Sequence, residues 1–151
     1  QLKEAQKWIK LASNQVSYSM LNRGIETEML PYALGNNLGI IAYSPLERGL
    51  LTGKYFQQDK LKDNDHRNGY FGQFDAGKVK TLLGKLTPMA EEKQVSLAQL
   101  VLRWTTLQPG ITIVLAGARN AEQAIANAKS IHVNLTTAEL TTINEALAQA
   151  L

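Results

Sequence analysis

The chain has 151 residues, enough for one domain with a real core, and 44% of them are hydrophobic, as expected of a globular fold and not of a disordered chain. A formal charge of +3 and a pI near 9.2 mildly favour anionic ligands, yet no run of Lys and Arg marks a nucleic-acid footprint. The absence of cysteine excludes disulfides and thiolate metal sites, and the lone His66 and His132 make no metal cluster. No apolar stretch is long enough to cross a bilayer and no signal peptide opens the chain, so a cytoplasmic home is the default expectation.

Leu2 to Ala12 places Leu2, Ala5, Trp8, Ile9 and Ala12 at three-and-four spacing, which predicts an amphipathic helix already under way at Gln1. Asn14 to Ser19 reads as a short strand with polar residues interleaved; Gln15 is either a ligand contact at the strand's end or a turn-capping amide. After the turn Asn22-Arg23-Gly24, a helix is predicted from about Glu26 to Leu34, stopped by Gly35-Asn36-Asn37. Ile40-Ile41-Ala42-Tyr43 is an apolar run of the kind that parallel strands show, and Pro45, which has no N–H to donate, ends it. The loop that follows holds Ser44, Arg48, Gly49 and Lys54: either hydroxyl, cations and backbone N–H groups of the kind a phosphate-bearing ligand needs, or a surface strand-to-loop junction with ordinary solvated charges.

Residues 55–75 are polar and show no clean period, so they are expected to form a lid or ligand-side insertion, its His66 and Arg67 reading first as solvated loop charges. Ala76 to Gln94 reads as a helix kinked or broken near Thr87 by Pro88, and Ser96 caps a second helix from Leu97 to Leu107. Ile111 to Leu115 is predicted to be a third buried strand. Gly117, Ala118, Arg119 and the N-cap Asn120 lead into a helix from Ala121 to Ser130. Thr136 or Thr137 caps a last helix with Ile143, Leu147 and Leu151 on its apolar stripe.

Alternating strands and helices imply a parallel sheet. Three such strands do not close, so the sheet is either small and open or part of a larger one. A second anion site is expected after the third strand, from Gly117 (close backbone approach), Arg119 and a helix N-terminus, with Gln123 and Asn127 on one helix face. A bland reading also fits: a turn glycine and an exposed polar face.

The series Asn14-Gln15-Val16-Ser17-Tyr18-Ser19, Ile41-Ala42-Tyr43-Ser44-Pro45-Leu46, Gly49-Leu50-Leu51-Thr52-Gly53-Lys54, Leu97 to Trp104 and Gly117-Ala118-Arg119-Asn120 resembles the aldo-keto reductase superfamily, above all its bacterial branch and the β-subunits of voltage-gated potassium channels. The resemblance implies an α/β fold, an eight-stranded (β/α)8 TIM barrel of which residues 1–151 correspond to the C-terminal half, strands six to eight. It implies NADP(H) as cofactor and reduction of a small-molecule carbonyl substrate, with a non-catalytic NADP(H)-binding regulatory subunit as the alternative and a phosphate-binding isomerase-type barrel a distant third. The family's Tyr, Lys, His and Asp tetrad belongs to the N-terminal half, and neither His66, His132 nor Lys54 matches it, so no catalytic residue is expected here. By resemblance, Gln15 meets the nicotinamide carboxamide and Tyr43 stacks on its ring. Ser44, Pro45, Leu46, Arg48 and Gly49 line the pyrophosphate, with Lys54 and Arg67 reaching phosphate from the following loop. Gly117, Arg119 and Gln123 take the 2′-phosphate region and Asn127 the adenine, while Ala126 stands where many relatives carry a Glu. Completion by an N-terminal half-barrel or by another copy of the chain is expected as well.

Overall fold

A computed structural model of the chain describes residues 1–57 and 64–150. Three parallel strands, β1 (Ser13–Ser17), β2 (Gly39–Tyr43) and β3 (Ile113–Leu115), pair in the order β1-β2-β3, the parallel sheet that the alternation of strand and helix implies. Helices α1 (Leu2–Ala5), α2 (Met29–Gly35), α3 (Arg67–Phe71), α4 (Ala76–Glu92), α5 (Leu97–Thr106), α6 (Ala121–Lys129) and α7 (Thr137–Ala150) fill the connections and flanks.

Side chains alternate across a strand. Ile40 and Ala42 point into the helical layer and are fully buried, whereas Tyr43, Ile113 and Leu115, 42–49% exposed, point the other way. The helical side holds a core of Leu82, Leu86, Leu100, Trp104, Ile143 and Leu147 from α4, α5 and α7, and α2 seals a smaller cluster of Leu30, Ala33, Leu38 and Ile40. The opposite face of the sheet has no protein layer over it among the described residues. This corrects the expectation of a third strand buried throughout: Ile111 packs on the core, but β3 itself shows its apolar face to solvent.

Several element bounds moved for physical reasons. The first helix ends at Ala5 and dissolves into turns, leaving Trp8 and Ile9 81% and 59% exposed, because so short a helix is marginal without an apolar surface to pack on. Helix α2 starts at Met29, which puts Pro31 in the first turn, where its missing N–H leaves no bond unmade. Helix α4 runs without a break through Pro88; the carbonyl that loses its donor belongs to Gly84, on the exposed side. Ser96 and Gln99 form a reciprocal capping box on α5, and Thr136 with Glu139 does the same on α7.

The segment 55–75 also differs from an unstructured insertion. Residues 58–63 of it, like Leu151, lie outside the described residues, but Arg67–Phe71 is helical and Phe71 is buried, with Tyr55 and Tyr70 around it.

At the end of β1 the chain is pinned by a polar group next to the core. Tyr18 stacks on Trp104 (centroids 6.1 Å apart) and donates its hydroxyl to Glu26 Oε1 at 2.5 Å, while Arg23 donates to both Glu26 oxygens at 2.8 and 2.9 Å. Burial pulls the Glu26 carboxyl upward, but the hydrogen bonds from Arg23 and Tyr18 outweigh it and hold the group below its ordinary range; burial, then the bond to Glu26, push the Tyr18 phenol up. A depressed carboxyl stabilises the fold above its unfolded value, about 4.3, and loses that contribution as pH falls through the folded value. A raised phenol stabilises below about 10 and loses its contribution as pH climbs through the folded value. Urea-unfolding midpoints measured against pH are therefore expected to fall on both limbs. Glu26→Gln should flatten the acid limb and lower the plateau; an unchanged acid limb would remove Glu26 from the account.

Candidate functional site

Parallel register brings Ser17, Tyr43 and Leu115 side by side at the C-terminal ends of the strands, with Gln15, Ile41 and Ile113 one row behind. Both rows share the uncovered face. Gln15 and the half-exposed Tyr43 ring thus come together on that face, an amide behind an aromatic surface open to a flat ligand.

The loop after β2 is held in an unusual conformation. Ser44, Glu47 and Arg48 have φ of 58°, 46° and 53°, the left-handed region that costs a residue with a side chain about 1–2 kcal/mol. Gly49 and Gly53, at 98° and 77°, carry the same chain direction without that penalty. Nested turns hold the loop: Glu47 N–H donates to Ser44 O, and the N–H groups of Gly49 and Leu51 both donate to Leu46 O. Pro45 is buried and Leu46 half-buried, while Lys54 is exposed, its ammonium without a carboxylate partner among the described residues. Arg48 lays its guanidinium 3.8 Å over the ring of Tyr70. Clusters of strained residues of this kind occur at ligand clamps, where the surroundings over-determine them.

After β3, Gln123 Oε1 accepts the Arg119 N–H at 2.9 Å, and Asn127 Nδ2 donates to Gly117 O at 3.1 Å. The two amides brace the turn, and Asn120 caps α6 by accepting the Gln123 N–H at 2.8 Å. The Arg119 guanidinium projects from this turn without a carboxylate partner among the described residues. No protein atom crowds Gly117: a Cβ built there meets nothing within 4 Å, so the close approach expected of this glycine is not made by the protein itself. Arg67 stands apart. Asp65 accepts its Nη2 at 2.6 Å, its Nε at 3.0 Å and its backbone N–H at 2.9 Å, and these bonds hold the Asp65 carboxyl far below the usual range.

Three residues that pattern reading passed over prove central. Glu47 is fully buried, and its carboxylate accepts the hydroxyls of Ser19 and Tyr70. The one signal available was that Glu47 is the single carboxylate between Gly39 and Lys54, set among leucines that pack inward. Burial, followed by the bond to Glu47, pushes the Tyr70 phenol up to about 12.

Parallel strands with helices on one side and cation-bearing loops at the C-terminal strand ends define an α/β protein that presents its chemistry at that edge. The profile of the Aldo/keto reductase family matches residues 1–148. The chain is 37% identical over 148 residues to the L-glyceraldehyde 3-phosphate reductase of Escherichia coli K12 (93% of this chain, 42% of that protein). It is 33% identical over 138 residues to the NADH-specific methylglyoxal reductase of the same organism (91% and 42%). A probable voltage-gated potassium channel subunit beta of Arabidopsis thaliana is 34% identical over 124 residues (79% and 38%). Among solved structures, a glycerol dehydrogenase from Gluconobacter oxydans superposes with a TM-score of 0.86 at 28% identity, over 99% of this chain and 46% of that one. The chain belongs to the aldo/keto reductase family and spans less than half the length of these relatives.

Proposed function

We propose that this chain is the C-terminal half of an NADPH-dependent aldo-keto reductase barrel, strands six to eight, and that it supplies the cofactor face of a cytoplasmic enzyme reducing aldehydes and ketones to alcohols. One observation carries the reading. Arg48 and Arg119, neither paired with a carboxylate among the described residues, follow two neighbouring parallel strands at the edge where the Tyr43 ring is exposed. These residues fit a dinucleotide. An open aromatic face suits the nicotinamide with Gln15 behind it, and the left-handed loop of Ser44, Pro45, Leu46, Arg48 and Gly49 suits the pyrophosphate. Lys54 is available to phosphate, and Arg67 becomes so by giving up its bonds to the half-buried Asp65. Arg119 beside Gly117 and Gln123 suits a 2′-phosphate, with Asn127 towards the adenine.

Bound NADPH supplies the hydride in this chemistry. The residues of this chain bind and orient; the proton donor to the carbonyl oxygen is assigned to the part of the barrel that covers the bare sheet face, from an N-terminal half or another copy of the chain. Calorimetric titration of the protein with NADPH and NADH, followed by an aldehyde turnover assay, tests the reading. Expected are binding of NADPH, tighter than of NADH, and turnover of the aldehyde; no binding of either nucleotide would sink it. A second reading, a regulatory NADP(H)-binding subunit, draws on the likeness to the Arabidopsis channel subunit. Tight NADPH binding with no turnover would favour it.

A further inference from the structure

We infer that Tyr70 is a positioning residue for the anion-facing loop after β2, locking Glu47 and Arg48 into their left-handed conformations from the α3 side. The inference rests on the cofactor reading above and goes beyond it, because Tyr70 lies in none of the motifs that carry the family resemblance.

The geometry leaves Glu47 little freedom. Ser19 Oγ already accepts the N–H groups of Leu21 and Asn22 at 3.1 and 3.0 Å, so both its lone pairs are engaged and its hydrogen is directed to Glu47 Oε1. The other carboxylate oxygen takes the Tyr70 hydroxyl. With the side chain fully buried, Tyr70 is the donor that completes its solvation from the second side. The same ring then carries the Arg48 guanidinium on its face. One side chain thus holds two consecutive residues, by its hydroxyl and by its π surface, while the backbone of each sits in a conformation its own side chain disfavours. Tyr70 itself is well anchored. Phe74 meets it edge-on at 5.7 Å, Phe71 beside it is buried, and Asp75 caps the long helix α4 directly afterwards.

Remove the hydroxyl and a buried carboxylate oxygen loses its donor, so Glu47 turns towards water and the loop leaves its left-handed turns. Tyr70→Phe keeps the ring under Arg48 and deletes only that bond; Tyr70→Leu deletes both. For the protein with its barrel complete, the NADPH dissociation constant and cofactor KM are expected to rise on the order of ten-fold in Tyr70→Phe and further in Tyr70→Leu. The kcat and the KM for the carbonyl substrate should hold, a split that general loss of stability does not produce. Hydrogen–deuterium exchange provides a readout independent of any nucleotide: amides of residues 46–50 should exchange faster in Tyr70→Phe. If wild-type protein fails to bind NADPH, the functional reading falls, while faster exchange in the variant still supports the lock. Wild-type affinity and wild-type exchange in Tyr70→Phe would overturn the inference.

Discussion

Replacing Trp104 by alanine is expected to destabilise the fold by about 3–5 kcal/mol, a large part of the 5–15 kcal/mol typical of a domain. Trp104 is fully buried on α5 between the end of β1 and α7. Its indole stacks on Tyr18, its Nε1–H donates to Asn144 Oδ1 at 3.1 Å, and the Arg23 guanidinium lies 5.6 Å from the ring. Truncation therefore opens a cavity, leaves the Asn144 amide oxygen without its donor and removes the surface on which the Tyr18–Glu26–Arg23 group is assembled. Trp104→Phe retains most of the ring contact and should cost much less. Urea unfolding followed by circular dichroism measures both, and a loss under about 1 kcal/mol for the alanine variant would show that the neighbours collapse into the space.

Arg119→Ala is expected to weaken NADPH binding by about ten- to a hundred-fold, the loss of a charge-assisted bond of roughly 1.5–3 kcal/mol, with NADH affinity almost unchanged. Because the guanidinium has no carboxylate partner among the described residues, its removal should leave the melting temperature where it was. The Gln123 amide accepts the backbone N–H of this residue, a bond that alanine also makes. Titration of both nucleotides against wild type and variant reads the difference directly. An equal loss for NADH and NADPH would take Arg119 away from the 2′-phosphate and place it nearer the pyrophosphate.

Much of this architecture is legible in the sequence because local signals agree. Asn120 and Ser96 announce helix starts, and the apolar run at Ile40 announces a strand. Where local signals depend on distant partners, reading fails. Among the described residues, Trp8 and Ile9 have helical spacing but no surface to meet, and β3 has the composition of a buried strand without the covering layer. Tyr70, Phe71 and Phe74 sit at three-and-four spacing, but over a stretch too short to stand out from the polar residues around it, so their anchoring role appears only once α3 is folded against the core. The sharpest case is the loop after β2. Its serine, glutamate and arginine give no hint of positive φ, since glycine is the usual marker, and the leucines around Glu47, the one local signal, flank Arg48 as well and do not say which of the two turns inwards.

That loop also bears on the kinetics of encounter. Turns already fixed by Leu46 O and by buried side chains need not be ordered when an anion arrives. On the cofactor reading, association at this edge would be set by diffusion and by the pull of Arg48, Lys54 and Arg119, so it is expected to slow as added salt shortens the reach of their field, while departure would be governed by the short-range contacts that salt screens least.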